Sequence, residues 1–450
     1  MHLRNTFKSK LIKNFFIYAF GAILLKGISV IIAPIIMRIL SPADYGFLAL
    51  VTNFIDIVFT IAGLGLRQLL TIEYFHYDII DRKKLVNDIV FIYSVLMFPV
   101  FLILILGRDF INNFIFSSQA YSSLIIFCLL VAFLKFFSEI FYQILQYSGE
   151  SFKLVSIQIV AALIIFSLNL SFLYFLDWGV FSVIAAQFVS VACVILVAIF
   201  FYIRDSYHVK LDLSCSLSKS WWYIKRGFPF VPRVLFAWIL AVGDRWVLAK
   251  YGTMTDVGIY SVADMFGQLF QVVFVLPFTY AYIPYMMEKF ADSMKISTQA
   301  GGLASVGCME SEQEGKCKNL AIDRKNLIIM VSVMLALIFL VSIGLVIFRP
   351  LICIILPTQY YEALNYIWGL LIGYIFLFGT YFASIFLQFQ KRVYFLLFAL
   401  LVPAVFNVFL NILLVPKFGI SGCVFATVIS YILYFLITVG YNFYVKKGLR

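Results

Sequence analysis

The sequence predicts an all-α integral membrane protein with twelve transmembrane helices, arranged as two parallel six-helix repeats around a central cavity. Three observations carry that reading. First, 64% of the 450 residues are hydrophobic, only 12% are charged, and mean hydropathy is +1.02. Soluble domains carry about twice that share of charge, and at ~20 apolar residues per crossing the chain supplies about twelve spans. Second, Lys and Arg segregate to alternate connections. Third, short motifs recur in order at fixed offsets. The composition excludes a soluble enzyme, a disulfide-stapled secreted domain and a disordered protein. The net charge of +12 reflects basic residues flanking the spans rather than a nucleic-acid surface.

Hydropathy places the spans at about 14–37, 45–72, 89–107, 119–146, 154–175, 179–203, 228–249, 257–287, 326–347, 360–388, 393–415 and 419–444. Span 1 follows a basic N-terminus (Arg4, Lys8, Lys10, Lys13), exceeds a signal-peptide core and lacks an A-x-A site, so it reads as an uncleaved helix. Span 2 opens on Ser41-Pro42-Ala43-Asp44-Tyr45-Gly46. Span 3 contains Pro99, and span 4 opens on Ser118-Gln119-Ala120-Tyr121. Leu176-Asp177-Trp178-Gly179-Val180 separates spans 5 and 6. In the link that follows, Val209, Leu211, Leu213, Cys215 and Leu217 alternate with polar residues, and Trp221 and Trp222 read as interfacial anchors for span 7. Span 8 opens on Thr253-Met254-Thr255-Asp256-Val257-Gly258, and Pro277 and Pro284 invite a bend in it. Span 10 opens on Thr358-Gln359-Tyr360-Tyr361, span 11 contains Pro403, and Pro416-Lys417-Phe418-Gly419-Ile420 leads into span 12.

Of the 34 basic residues, 24 fall on the side of the two termini, 5 on the opposite side (Arg38, Arg108, Lys250, Arg349, Lys417) and 5 within spans. The positive-inside rule therefore predicts both termini in the cytosol. The motifs before spans 2 and 8 are offset by 212 residues, and those before spans 4 and 10, and 6 and 12, by 240. The extra residues belong to a cytosolic insertion at about 288–325, with a polar, small-residue stretch at 297–317. Two halves of six spans share one orientation, the arrangement of parallel transporter repeats. The predicted organisation is a lobe at 1–203, a cytosolic or interfacial linker at 204–227, and a second lobe at 228–450.

Ile39-Leu40-Ser41-Pro42-Ala43-Asp44-Tyr45-Gly46 resembles the span 1–2 signature of Wzx-type polysaccharide flippases, the O-antigen transporters. Asp244-Arg245 followed by Val257-Gly258-Ile259-Tyr260-Ser261 resembles their span 7–8 signature. The likeness runs from about Phe15 to Tyr444 and fails over 297–317. It implies a two-lobed fold of the multidrug/oligosaccharidyl-lipid/polysaccharide exporter superfamily in a bacterial inner membrane. It also implies an undecaprenyl-diphosphate-linked oligosaccharide as substrate, turned from the cytosolic to the periplasmic leaflet for lipopolysaccharide assembly. Bilayer lipids and other polysaccharide-assembly membrane proteins are the partners it implies.

Ionisable groups inside spans cost several kcal/mol unless they pair or face water, so they are the best functional pointers. The basic ones are Lys26, Arg67, Lys135, Arg233 and Arg245, a ladder of positive charge across the membrane suited to carrying a diphosphate. The acidic ones, Asp56, Glu139, Asp244 and Asp264, are candidates for proton or sodium coupling or for neutralising the cations. The bland alternatives stand beside these. Lys135 and Glu139, four apart on one helix, pair with each other on that reading. Arg67 and Arg233 snorkel to the cytosolic face. Adjacent Asp244 and Arg245 point to different faces, and each needs its own partner.

A membrane-embedded sugar polymerase or glycosyltransferase is the rival from another class. The predicted external loops are short, the longest about 12 residues. His2, His76 and His208 all fall in cytosolic segments, and no G-x-S-x-G, H-E-x-x-H or P-loop pattern occurs. Nearer rivals are a cation-coupled drug exporter and a peptidoglycan-precursor flippase. Cys128, Cys193, Cys353 and Cys423 lie in apolar runs, Cys215, Cys308 and Cys317 in predicted cytosolic segments, and no C-x-x-C occurs. The sequence thus points to no catalytic residue, metal or cofactor.

Overall fold

The computed structural model describes residues 2–74, 79–111, 122–205, 217–275, 278, 324–389 and 393–447. Every regular element among them is helical. In chain order they are α1 (His2–Ile39), α2 (Pro42–Ala62), α3 (Leu66–Glu73), α4 (Ile79–Leu106), the short α5 (Arg108–Ile111), α6 (Ser122–Tyr147) and α7 (Ser151–Ser171). Then come α8 (Val180–Asp205), α9 (Leu217–Gly227), α10 (Val231–Tyr251), α11 (Met254–Phe270), α12 (Arg324–Ile355), α13 (Leu364–Phe389) and α14 (Val393–Lys447). Among the described residues, 11 helices are long and apolar enough to span a bilayer, α14 being counted once although Gly419 interrupts it. The all-α, multi-span prediction holds. The insertion at 288–325, Pro277, Pro284, His76, His208, Cys215, Cys308 and Cys317 bear on the readings above but lie outside the described residues or in their larger part do so.

Two compact units form: residues 1–238 with 252–259, and residues 239–251 with 260–450. In the first, α6 packs on α2, α4 and α8, α7 packs on α1 and α8, and α3 lies against α4 and α9. Tyr93 anchors this core, its ring stacked on Phe136 and its hydroxyl donating to the Ala132 carbonyl at 3.2 Å. In the second, α13 packs along α14 and against α12. Gly419 (φ 55°, ψ −131°) turns the chain back inside α14. A methyl on Gly422 would sit 2.5 Å from the Leu414 carbonyl oxygen, whereas eight residues of straight helix span about 12 Å. Spans 11 and 12 are thus two arms folded against each other, as the sequence predicts.

The motif repeat has a local structural meaning. Ser41 caps α2: its Oγ accepts from the Asp44 N–H at 3.2 Å and donates to the Asp44 carboxylate at 2.6 Å, with Pro42 in the first turn. Thr253 caps α11 in the same way, accepting from the Asp256 N–H at 3.1 Å while its own N–H donates to the Asp256 carboxylate at 2.7 Å. Gly179 and Gly419, 240 apart, have φ of 54° and 55°.

Span 2 departs from expectation. The continuous helix predicted over 45–72 is broken between α2 and α3, where Leu64 and Gly65 take φ of 41° and 71°. The cause is packing. Gly65 lies against the Gly227 carbonyl, which occupies the place where a Cβ would stand. Hydropathy does not register such a break, because Gly63, Leu64 and Gly65 are all apolar. The link region also gains a helix: α9 buries Tyr223 and leaves Trp221 and Trp222 exposed.

Candidate charged sites within the spans

In the first unit, α2, α3 and α6 bring four of the expected residues into two ion pairs. Lys135 Nζ donates to Asp56 Oδ1 at 2.5 Å, and Arg67 Nη1 donates to Glu139 Oε2 at 2.7 Å. Lys135 therefore does not neutralise Glu139, its neighbour one turn along α6. Each ion pair instead crosses between helices. The break after α2 makes the second pairing possible, because it redirects α3 so that Leu66, Leu69 and Leu70 are buried while Arg67 turns to α6. Phe59 lies between the pairs, its ring centroid 5.7 Å from Lys135 Nζ and 5.8 Å from the Arg67 guanidinium carbon. Both distances fall within cation–π range.

These pairs are not sealed. Side-chain exposure is 25% for Lys135, 46% for Asp56, 35% for Arg67 and 31% for Glu139. Charges open to hydrocarbon at span depth cost several kcal/mol, so exposure of this size requires water beside them. A cavity of about 170 Å³ opens there, lined by Phe59, Thr60, Arg67, Gln68 and Phe136 and closed on one side by Val231 and Val234 of α10. Arg233, between those two valines in sequence, is exposed and forms no ion pair with the described residues. Lys26 is half-buried on α1, and neither of these ion pairs includes it.

The second unit holds Asp244, Arg245 and Asp264 in one closed network. Arg245 Nη2 donates to Asp264 Oδ2 at 2.5 Å, Nε to Ser261 Oγ at 3.2 Å and Nη1 to the Ala241 carbonyl at 3.3 Å. Asp244 accepts from the Arg245 N–H at 2.8 Å, from Thr427 Oγ1 at 3.2 Å and from the Tyr260 hydroxyl. Asp264 also accepts from the Tyr374 hydroxyl and from Gln268 Nε2, each at 2.9 Å. Arg245 and Asp264 are each 4% exposed and Asp244 2%. Adjacent residues on α10, expected to need separate partners, share one cluster: Arg245 Nη1 also stands 3.6 Å from Asp244 Oδ1. Both side chains can be enclosed because α10 is buried at this turn and α11 returns beside it with Tyr260, Ser261 and Asp264.

Sequence reasoning missed Phe59, Tyr374, Thr427 and Gln268, none of which carries a charge or a motif. Tyr260 and Ser261 stand within the span 7–8 signature, and that was a signal. The two groups differ in kind. The first-unit pairs are balanced, semi-exposed and beside a cavity, whereas the second-unit network is enclosed and has two carboxylates to one guanidinium.

A sequence family described as polysaccharide biosynthesis protein matches residues 11–290. No curated protein matches this chain by sequence. Among solved structures, an inward-facing multidrug resistance MATE family transporter of the MOP superfamily superposes with a TM-score of 0.67 at 14% identity, over 96% of this chain and 98% of that one. The lipid II flippase MurJ, in an inward closed conformation, gives 0.67 at 16% identity, over 97% and 90%. A Vibrio cholerae MATE transporter, VcmN, in its bent form gives 0.57 at 14% identity, over 100% and 99%. The shared property is the fold.

Proposed function

This chain belongs to the polysaccharide biosynthesis protein family, and from that premise we propose that it is a flippase for undecaprenyl-diphosphate-linked oligosaccharide. The headgroup passes from the cytosolic to the periplasmic leaflet of the bacterial inner membrane by alternating access, and both termini face the cytosol. Family membership and a fold shared with a lipid II flippase support a flippase or exporter over a polymerase or glycosyltransferase. The observation that supports the substrate class is a pair of partly exposed cations: Arg67 lines a cavity, and Lys135 shares with it the Phe59 ring that also lines that cavity.

The mechanism follows from their partners. Without substrate, Glu139 and Asp56 satisfy the two cations and remove most of the cost of holding charge in a membrane. A diphosphate offers more acceptor oxygens and more charge than either carboxylate. It takes over the Arg67 fork bidentately and Lys135 as a point charge. The carboxylates, themselves partly exposed, then turn to water, so the exchange leaves no charge in hydrocarbon. Lys26 and Arg233 extend the cationic surface. Arg245 has no such freedom, and its role is to hold the second unit together. The surplus carboxylate among Asp244, Asp264 and Arg245 supports proton or sodium coupling in the second unit.

The test is purified chain in vesicles, with fluorescent undecaprenyl-diphosphate disaccharide followed by quencher accessibility. The native chain is expected to equilibrate the lipid between leaflets, and Arg67→Gln and Lys135→Gln to slow it by about tenfold or more, equivalent to ~1.4 kcal/mol each. Imposed pH or sodium gradients should bias the native chain and leave Asp244→Asn unbiased. Unchanged rates in both cation variants would remove the proposed headgroup site.

A further inference from the structure

Arg67 stands on a helix that does not set its own direction. α3 has 8 residues, and the left-handed Leu64 and Gly65 separate it from α2. Its place is therefore fixed by what it packs on, which is α9 and α4. Two consecutive residues of α9 hold its two ends. At the first end Gly65 abuts the Gly227 carbonyl, and a methyl on Gly227 would sit 2.7 Å from the Leu64 carbonyl oxygen. At the other end Arg226 Nη1 donates to Glu73 Oε1 at 2.6 Å. Glu73 is 12% exposed and Arg226 52%. The Arg226 guanidinium carbon also lies 4.1 Å from the centroid of the Trp222 ring, within cation–π range. Arg226 is thus engaged by Glu73 and Trp222 rather than offered as one more cation for an anion.

α9 is itself tied down. Tyr223 is buried and its hydroxyl donates to Asp88 Oδ2 at 3.3 Å, while Lys219 Nζ bonds the same oxygen at 2.5 Å. Asp88 belongs to α4, and α4 packs on α6, the helix that carries Lys135 and Glu139. The contacts run in a closed circuit from α6 through α4 and α9 to α3, and the Arg67–Glu139 pair completes it. Val231, four residues beyond Gly227, lines the cavity that Arg67 also lines.

Substrate binding opens this circuit at one point. When a diphosphate takes over Arg67, Glu139 lets go and the charged tie between α3 and α6 is lost. Neutral hydrogen bonds to the Thr71 hydroxyl, from Tyr147 at 2.7 Å and Gln143 at 3.5 Å, remain. The Arg226–Glu73 pair does not depend on Glu139, and a charge-assisted bond is the stronger kind of tie. We propose that Arg226 is a positioning residue of the headgroup site: through Glu73 it holds α3, so that Arg67 stays aimed at the diphosphate after Glu139 has released it. Arg226 does not touch the substrate. The inference rests on the headgroup reading above and adds the element that keeps the site in shape during the exchange.

The experiment measures equilibrium binding of a short-chain polyprenyl diphosphate to the full chain in nanodiscs, with the Tm of every variant taken alongside. Arg67→Gln is expected to weaken binding about tenfold, and Glu73→Gln and Arg226→Gln about fivefold each. Placed in the Arg67→Gln chain, neither should weaken it further, because both act through that arginine. Arg226→Lys, which keeps a charge on Glu73, should bind within about twofold of native. Every variant should keep a Tm within a few degrees of native. The sign for Glu73→Gln is decisive, since removing a negative charge near the site would by charge alone tighten an anion. Native or tighter binding by Glu73→Gln, losses that multiply with that of Arg67→Gln, or a collapse of Tm would overturn the positioning role and leave the headgroup reading standing. Unchanged binding by Arg67→Gln would overturn the headgroup reading and the positioning role with it.

Discussion

At the scale of single residues, identical charges have been put to different uses by their surroundings. Arg67 and Arg245 both bond a carboxylate from another helix, yet one is 35% exposed beside a cavity and the other 4% exposed within a closed network. Removing one partner from an enclosed set leaves the others charged and uncompensated, which costs roughly 3–5 kcal/mol. Arg245→Leu is therefore expected to abolish or sharply reduce folded protein, seen as lost monodisperse material and a lower Tm in detergent. Arg67→Gln should leave Tm within a few degrees of native while losing transport. If both variants were equally stable, the distinction between an anchoring and a working arginine would fail. The sequence made all five intramembrane cations visible, because a charge inside an apolar run stands out at once. It did not reveal which were sealed. That depends on Tyr260, Tyr374 and Thr427, and two of these come from helices more than a hundred residues away from Arg245.

At the scale of elements, the repeated motif is both a cap and a contact. Gly46 and Gly258, equivalent at the offset of 212, face each other. A methyl on Gly258 would strike the Pro42 carbonyl and lie 3.2 Å from the Gly46 N, and one on Gly46 would lie 2.7 Å from the Gly258 N. Each glycine meets the first residue of the other helix, the reciprocal pattern that two-fold related surfaces make. Small residues let helix backbones approach this closely in membranes. Gly258→Leu is expected to force the starts of α2 and α11 apart. A disulfide between cysteines placed at Tyr45 and Val257 should then form less readily than in the same double-cysteine chain with Gly258. Equal cross-linking would show that the glycine contact does not set the approach. The motifs were legible because they are short, polar and placed where apolar runs begin. The break between α2 and α3 was not, although Arg67 depends on it. Its determinant is the Gly227 carbonyl beside Gly65, a contact between residues far apart in the chain.

At the scale of the whole molecule, composition settled the environment and the charge asymmetry suggested the orientation, but neither named the cargo. With 64% hydrophobic residues the chain belongs in a membrane, and with 24 of 34 basic residues assigned to one side the positive-inside rule leads us to expect its termini in the cytosol. Relatives at 14–16% identity share the architecture while carrying different names, one a multidrug transporter and one a lipid II flippase. Fold therefore leaves the substrate to the site. In this chain the groups suited to a lipid diphosphate are Arg67 and Lys135, each held by a carboxylate that an anion can displace. The measurement that tests this most directly is the leaflet distribution of lipid-linked oligosaccharide in cells lacking the protein. Those cells would be restored with the native chain or with the Arg67→Gln, Lys135→Gln double variant, and scored by accessibility of the sugar to an external lectin. Oligosaccharide is expected to stay trapped on the cytosolic side without the protein, to be released by the native chain, and to remain trapped with a double variant present at native abundance. A normal distribution without the protein, or full release by the double variant, would contradict that expectation.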